Sequence, residues 1–337
     1  MENGDNGIKA RFDTPIAMFN FNRPHLTRQV FEVVRQIKPK RLLLVADGPR
    51  ADRPDDARLC AEVRAIYDGI DWECEVSKNF ADANMGSFKR NSSGLNWVFD
   101  TVEEAIILED DCVPSLSFFP YCKELLERYR DDSRIAVISG NCFVPPGPDQ
   151  ADASYFFSAY GLTWGWATWR RVWKQVDLDM SWWEYSAGRK LLKKIFPKQL
   201  ERLYWLWLYE EIYRGLRKNA WDYQLILTMF RNSWLCVVPS VNMISNIGYG
   251  DEATHTIDDA TPLACMNKED LEFPLRHPVR MFHSTEMDHE IFKFRILDKY
   301  QPSLIKRIIL KMLSVLPFAW TVKIRDWYRM AKGMVKP

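Results

Sequence analysis

Over residues 15–140, short apolar runs alternate with segments of helical period. Pro15-Ile16-Ala17-Met18-Phe19 reads as a buried strand. A polar turn from Asn20 to Pro24 follows, and then Leu26, Val30, Val33, Val34 and Ile37 recur along one helix face. Pro24 suits the first helical position, where no N–H is needed. A second run, Leu42 to Ala46, stops at the turn chemistry of Asp47-Gly48-Pro49. Trp72 to Val76 is expected as a third strand, and Leu95, Val98, Phe99 and Val102 mark a helix. Ala105 to Leu108 is a fourth apolar run and Arg134 to Ser139 a fifth. Continuous apolar strands between helices predict an α/β fold, with a mixed, mostly parallel sheet covered on both faces. Ligands of such sheets bind beyond the carboxyl ends of the strands. Arg23, Asp47 and the triplet Glu109-Asp110-Asp111 all follow strands.

The pattern changes after a Pro/Gly-rich break at residues 141–150. Ten of the 14 tryptophans lie between Tyr160 and Trp234. Beyond residue 290 the chain reads as a basic amphipathic helical tail, with Leu304, Ile305, Ile308, Ile309, Met312 and Leu313 against Lys306, Arg307 and Lys311. Interfacial aromatics such as Trp320, Trp327 and Tyr328 beside Lys and Arg suit an anionic membrane surface over residues 303–337. A helical pair docked on the main domain, or a dimer contact, is the plainer alternative for that segment, so homo-oligomerisation stays open. Residues 1–13 are polar and read as a flexible lead. They lack the basic start and apolar stretch of a signal peptide.

Composition narrows the classes. The 337 residues are 47% hydrophobic and 27% charged, which supports a packed core and excludes global disorder. A net charge of +1 argues against a nucleic-acid partner held by bulk charge. The seven cysteines are scattered, with no CxxC pair, which suggests a reducing, cytoplasmic setting. No apolar run reaches the roughly 18 residues of a membrane helix.

The acidic triplet carries the sharpest chemistry. Three carboxylates after a buried strand repel one another unless a cation or donors hold them. Their hard oxygens suit Mg²⁺ or Mn²⁺, bound through one or two carboxylates and substrate phosphates. A solvated acidic turn is the plain alternative. Arg23 could meet a phosphate, and Asp47 could accept from a base or ribose; each could equally be an ordinary turn residue. No Gly-rich phosphate loop is present. Asp222 stands before an amphipathic stretch, as a general base or as a helix N-cap. Within Gly161 to Trp169 (GLTWGWATW), Tyr160, Trp164 and Trp166 could stack on sugar faces, although most tryptophans there suit a core wall.

Several stretches resemble the GT-A glycosyltransferases, close to the N-acetylglucosaminyltransferase I type and its bacterial relatives. They are Phe19 to Pro24 (FNFNRP), Leu44 to Pro49 (LVADGP), GLNWVF followed by AIILEDD from Gly94 to Asp111, Trp221-Asp222-Tyr223, and Cys236 to Gly250 (CVVPSVNMISNIGYG). The resemblance covers roughly residues 14–255 and implies a Rossmann-like GT-A fold. It implies a nucleotide-sugar-binding half at 14–140, an acceptor-binding half of the same domain at 141–290, and the tail at 291–337. By the same resemblance, Arg23 lies in the first nucleotide loop, Asp47 contacts a uracil-type base and Arg90 helps hold the nucleotide. The resemblance further implies that Glu109 and Asp110 face the sugar and ribose, that Asp111 is the direct metal ligand, that His283 completes the metal site, and that Asp222 or its immediate neighbour is the general base. Should Asp222 not serve, Asp251 and Glu252 are next in line. The implied activity is an inverting hexosyltransferase, moving N-acetylglucosamine or a related hexose from a UDP-sugar to a glycan acceptor with Mn²⁺ or Mg²⁺. The expected setting is cytoplasmic, peripheral on the inner face of the membrane. The alternatives are a sugar-1-phosphate nucleotidyltransferase, which wants a Gly/Arg-rich loop where FNFNRPH stands, and a non-catalytic carbohydrate-binding protein.

Overall fold

The structure, a computed structural model, describes residues 12–147, 152–217, 221–249, 266–298, 320 and 323–324. The first half runs β1 (Ile16–Asn20), α1 (Pro24–Ile37), β2 (Arg41–Ala46), α2 (Asp56–Ala65), β3 (Glu75–Phe80), α3 (Ser87–Thr101), β4 (Glu104–Glu109), β5 (Cys112–Pro114), α4 (Phe118–Arg128) and β6 (Ile135–Ser139). The second half adds β7 (Tyr155–Ser158), β8 (Trp166–Trp169), α5 (Arg170–Trp173), α6 (Tyr185–Ile195), α7 (Gln199–Tyr213), α8 (Asp222–Asn232), β9 (Leu235–Pro239), β10 (Ile244–Asn246) and α9 (Thr285–Phe292).

Eight strands form one mixed α/β sheet in the order β3-β2-β1-β4-β8-β6-β9-β7. The four strands β3, β2, β1 and β4 are parallel, β8 is antiparallel to both of its neighbours, β6 and β9 are parallel, and β7 closes the edge antiparallel to β9. The chain lays down β1, β2 and β3 outward, then returns through α3 to place β4 on the other side of β1. The order therefore reverses between β1 and β4, where a crevice opens at the strand ends. Phe19 lies opposite Glu109 in that pairing, so Arg23 and the acidic triplet leave the sheet at one edge.

The local chemistry explains these elements. β1 is buried at every position and β2 at all but its first. α1 starts at Pro24, as expected, and ends where Lys38 turns left-handed at φ +53° and its N–H caps the Val34 carbonyl. α3 lies directly on β1 and β2 because Gly94 faces them; a Cβ there would stand 2.6 Å from Val45 and 2.7 Å from Phe19. A two-stranded antiparallel sheet of β5 and β10 carries the 244–248 segment to the carboxyl edge.

One expectation needs correction. The third strand is not Trp72–Val76 but Glu75–Phe80, a half-exposed edge strand without an apolar run to mark it. The tryptophan-rich segment supplies β8, inserted between β4 and β6, and only a four-residue α5 follows it. Most of the aromatics are core. Tyr160, Phe196, Trp205, Tyr209 and Phe230 cluster among α6, α7 and α8, and the Trp205 indole N–H donates to Tyr160 Oη at 3.1 Å. The six described cysteines are free. No helix among the described residues is long and apolar enough to cross a membrane. Of the tail, Trp320, Lys323 and Ile324 are described, helical and exposed; the rest of 303–337 lies outside the described residues.

Candidate active site

The crevice between β1 and β4 is a cavity of about 350 Å³, within the usual size range of small-molecule sites. Phe19, Asn20, Phe21 and Arg23 line it from the end of β1, and Asp47 and Arg50 from the end of β2. Asn84 to Asn91 close one side through the start of α3, while Glu109, Asp111, Trp164, Asn246 and Gly248 close the other.

Arg23 is the resident cation of the acidic triplet. Its Nη2 donates to Asp111 Oδ2 at 2.9 Å, and it holds Asp110 through both Nη2 and Nε. Burial works against the guanidinium charge, but Asp110 and Asp111 outweigh it and push the Arg23 pKa further up. Glu109 has no such partner. Burial, then Asp111, Asp110 and Asp222, push its carboxyl up to about 8. Asp110 and Asp111 share the Arg23 guanidinium and disfavour charge on Glu109, a strain that a further cation would relieve. Among the described residues no three His, Cys, Asp or Glu side chains form a metal cage of their own. The set fits a divalent ion that takes one or two protein carboxylates and completes its shell from substrate phosphates. Asp111 is the side chain placed to hold it, since its Oδ1 faces only the Cys112 thiol at 3.4 Å.

The 244–248 segment is built around Asp111. The Ile247 N–H donates to the Asp111 carbonyl at 2.8 Å, and the Gly248 N–H to Asn246 Oδ1 at 2.9 Å. A Cβ at residue 248 would lie 2.0 Å from Asp111 Oδ2, so only glycine lets this loop seat against the carboxylate.

Asp47 plays a different part from the one its motif implies. Its two oxygens already accept from the backbone N–H of Gly48, Met85 and Gly86 and from the Asn84 amide, at 2.8–3.2 Å. Those four bonds fill a carboxylate's acceptor positions. Asp47 therefore shapes the loop that opens α3, rather than offering a vacant acceptor to a base. That loop leaves α3 with its N-terminal turn on the cavity and no side-chain cap, a natural seat for an anion. Arg90, 6% exposed, stands in the same turn. Its Nη2 donates to the Asn79 carbonyl and Oδ1, each at 2.6 Å, while its buried Nε has no acceptor. A buried guanidinium held by neutral partners is a second element of an anion site.

The other expected residues divide. Trp164 reaches the cavity, half-buried beside Tyr249 and Phe143. Tyr160 and Trp166 do not. Tyr160 is sealed against Glu201 and Trp205, and Trp166, 0% exposed, stacks on Trp221. Neither ring has a face free for a sugar. His283 does not line the cavity; it pairs across a β-bridge with Phe157, with Nε2 at 3.8 Å from Asp288. Asp222 is the first residue of α8, Trp221 takes the N-cap position, and no side chain caps the helix, so the cap alternative for Asp222 does not hold. Asp222 instead acts electrostatically on Glu109. Asp251 and Glu252 lie outside the described residues. Sequence reasoning did not single out Arg50, Asn84, Asn246 or Gly248. The last two sit in the quoted SNIG stretch, and Arg50 directly follows the Asp47-Gly48-Pro49 turn.

No protein-family model matches the chain, and no curated protein matches it. Among solved structures, it is similar to a mannosyltransferase from Pyrobaculum calidifontis in complex with GDP-Man and Mn²⁺, at 12% identity and TM-score 0.34, covering 49% of this chain and 47% of that one. It is similar to residues 1–349 of S. aureus TarS at 11% identity and TM-score 0.39, covering 69% and 59%. A UDP-glucose pyrophosphorylase complexed with UDP-glucose aligns at 9% identity and TM-score 0.27, covering 49% and 81%. The chain thus spans about half the length of the mannosyltransferase.

Proposed function

We propose that the chain is an inverting glycosyltransferase that moves a sugar from a nucleoside-diphosphate sugar to a glycan acceptor. The observation that carries this reading is the meeting of an anion seat and a cation seat in one crevice. The anion seat is the open N-terminal turn of α3 with Arg90; the cation seat is Asp111 with Glu109 and Asp110. A nucleotide diphosphate with a divalent ion satisfies both at once.

Asp111 and the donor phosphates would hold Mn²⁺ or Mg²⁺, which supplies charge neutralisation of the leaving diphosphate. Arg23 orients Asp110 and Asp111 and adds positive charge beside the phosphates. Asp222, on the first turn of α8, accepts the proton of the attacking hydroxyl. A carboxylate at that helix position is favoured by the helix dipole. Trp164 lines the same cavity. UDP is the donor nucleotide of this reading, with N-acetylglucosamine or a related hexose, on the resemblance around LVADGP rather than on a base contact of Asp47.

Incubation with a panel of nucleotide sugars and Mn²⁺ should release nucleoside diphosphate. Release of pyrophosphate from a sugar phosphate and nucleoside triphosphate would instead identify a nucleotidyltransferase. Residues 303–337 would place the enzyme on anionic membrane. The exposed Trp320 and Ile324 beside Lys323 support this. Loss of liposome association on truncation before Ser303, with nucleotide binding intact, is the expected result.

A further inference from the structure

Helix α6 packs on α7 and α8 with one side and shows the other to solvent. Gly188 and Leu192 are buried, and Leu191 and Ile195 half-buried against the core. Gly188 fixes the rotation of the helix, because a Cβ there would stand 2.4 Å from the Trp183 ring. Arg189, Lys190, Lys193 and Lys194 are all exposed. At about 100° per residue they share an arc of about 140°, opposite the buried residues. Residues 185–200 hold five cations and no acid. The fifth cation, Lys198, acts on Glu201, Glu286 and Glu290 instead and is not counted on this face. Lys190, Lys193 and Lys194 make no ion pair among the described residues. Within the fold the arrangement is unfavourable. Arg189 and Lys193, Lys190 and Lys193, and Lys190 and Lys194 are like charges three or four residues apart, where opposite signs would stabilise the helix. The helix dipole favours Lys193 and Lys194 in the last turn, but not Arg189 and Lys190 before it.

We propose that this face of α6 rests on the headgroups of an anionic phospholipid bilayer, as an electrostatic contact that adds to the one made by residues 303–337. Its cations spread over a convex helix surface rather than converging in a cleft, and three of the four are lysines, hydrated point charges on flexible stems. That form suits a broad layer of negative charge better than a grip on one phosphate. The apolar side of α6 is committed to the core, so the helix adsorbs without inserting, unlike a segment that exposes Trp320 and Ile324. None of the four cations lines the donor crevice, so adsorption leaves it open. Weak membrane signals become a stable anchor in pairs, and calling α6 the second of a pair rests on the membrane reading of residues 303–337. The charge of the α6 face does not.

The test is co-sedimentation of the full chain with phosphatidylcholine vesicles, with and without phosphatidylglycerol. Binding is expected with the anionic lipid at low ionic strength. Lys190→Gln combined with Lys193→Gln removes two cations, each contributing up to about fivefold beside an anionic surface, so partition should fall about tenfold with an unchanged Tm. Lys190→Arg combined with Lys193→Arg keeps the charge and should bind as the parent does. Lys38→Gln combined with Lys40→Gln makes the same change in net charge at exposed lysines beyond α1, and should leave partition close to the parent's. In about 1 M salt, where the screening length is about 3 Å, parent and α6 variant should become equal. The proposal is overturned if the full chain ignores anionic vesicles at low salt, if the α6 glutamine variant partitions as the parent does, or if the Lys38 and Lys40 variant loses as much. A chain truncated before Ser303 that keeps salt-sensitive vesicle binding would sink the reading of residues 303–337 and leave α6 standing.

Discussion

Arg23 bridges Asp110 and Asp111 with a single guanidinium, its Nη2 2.9 Å from Asp111 Oδ2. The pair fastens the loop after β1 to the loop after β4, across the crevice where the strand order reverses. The side chain that offsets part of the acidic charge therefore also ties the two loops together.

Removing that cation should expose the charge imbalance. Arg23→Leu leaves the buried Asp110 and Asp111 carboxylates unpaired, and breaking a buried pair from one side costs about 3–5 kcal/mol. The Tm measured in chelator should fall steeply, and Mn²⁺ should recover part of the loss. An unchanged Tm in chelator would show that Arg23 does not hold the triplet.

Asp111→Asn should keep the fold, since the Arg23 contact with Asp110 remains. It removes the carboxylate best placed to hold a divalent ion. Mn²⁺-dependent binding of UDP, followed by calorimetry, should disappear in this variant. Equal affinity with and without the substitution would remove Asp111 from the metal site.

Gly248→Ala forces a methyl group against Asp111, where the nearest oxygen stands 2.0 Å from the ideal Cβ position. Either the carboxylate or the 244–248 loop must move, at about 1–3 kcal/mol for overpacking. The expected signature is a modest loss of stability together with a large loss of Mn²⁺-dependent nucleotide binding. Normal nucleotide affinity would show that the loop is free to shift without consequence.

Strands β1, β2, β4 and β6 were legible because a strand buried on both faces must be apolar along its length. β3 was shifted because its alternating, half-exposed residues carry no such mark. β8 was hidden because Trp-Ala-Thr-Trp has the same composition whether it lines a pocket or fills a core. The same ambiguity misplaced Tyr160 and Trp166: residue type gives an aromatic ring, and only packing says which face is free. Arg23, Glu109 and Asp111 were legible as polar residues at strand ends. The bonding of Asp47 was not, because three of its four donors come from a loop some forty residues later that no pattern assigns to it. Asn246 and Gly248 reach the site through the β5–β10 pairing, a long-range contact without a local signal.

Behind Arg50, which lines the crevice, Asp56 gives a pH-dependent handle. Its hydrogen bonds from Arg50 outweigh burial and hold its carboxyl down to about 2, with Asn22 adding a donor at 2.7 Å. A depressed acid stabilises the fold above its ordinary pKa of 3.8 and loses that contribution as pH falls toward 2. The Arg50 side chain is 42% exposed, so the pair is worth about 1 kcal/mol after solvent screening. Urea unfolding should show Asp56→Asn less stable than the parent by about that amount at pH 6, with the gap closing toward pH 2. A gap that stays constant with pH would assign the effect to packing rather than to charge.

The last prediction concerns Asp222. A hydroxyl that attacks an anomeric carbon loses its proton as the new bond forms, and a carboxylate within reach contributes typically 10²–10⁴-fold. Asp222 is the proposed carrier of that role. It follows Trp221, whose ring stacks on the fully buried Trp166 with centroids 5.7 Å apart, so the first turn of α8 is anchored to β8 in the core. After burial, Asp111 and Asp110, its charge adds to what raises the carboxyl of Glu109, which lines the donor cavity. Its side chain makes no cap that a neutral substitute would break. Asp222→Asn should therefore fold with a near-parental Tm and bind UDP and Mn²⁺ normally. The contact to the hydroxyl matters mainly in the transition state, so the loss belongs in kcat rather than in donor affinity. Turnover should fall by at least about a hundredfold. A variant that melts early while its folded fraction turns over normally would make Asp222 structural. A variant with intact Tm and intact kcat would move the base to another carboxylate.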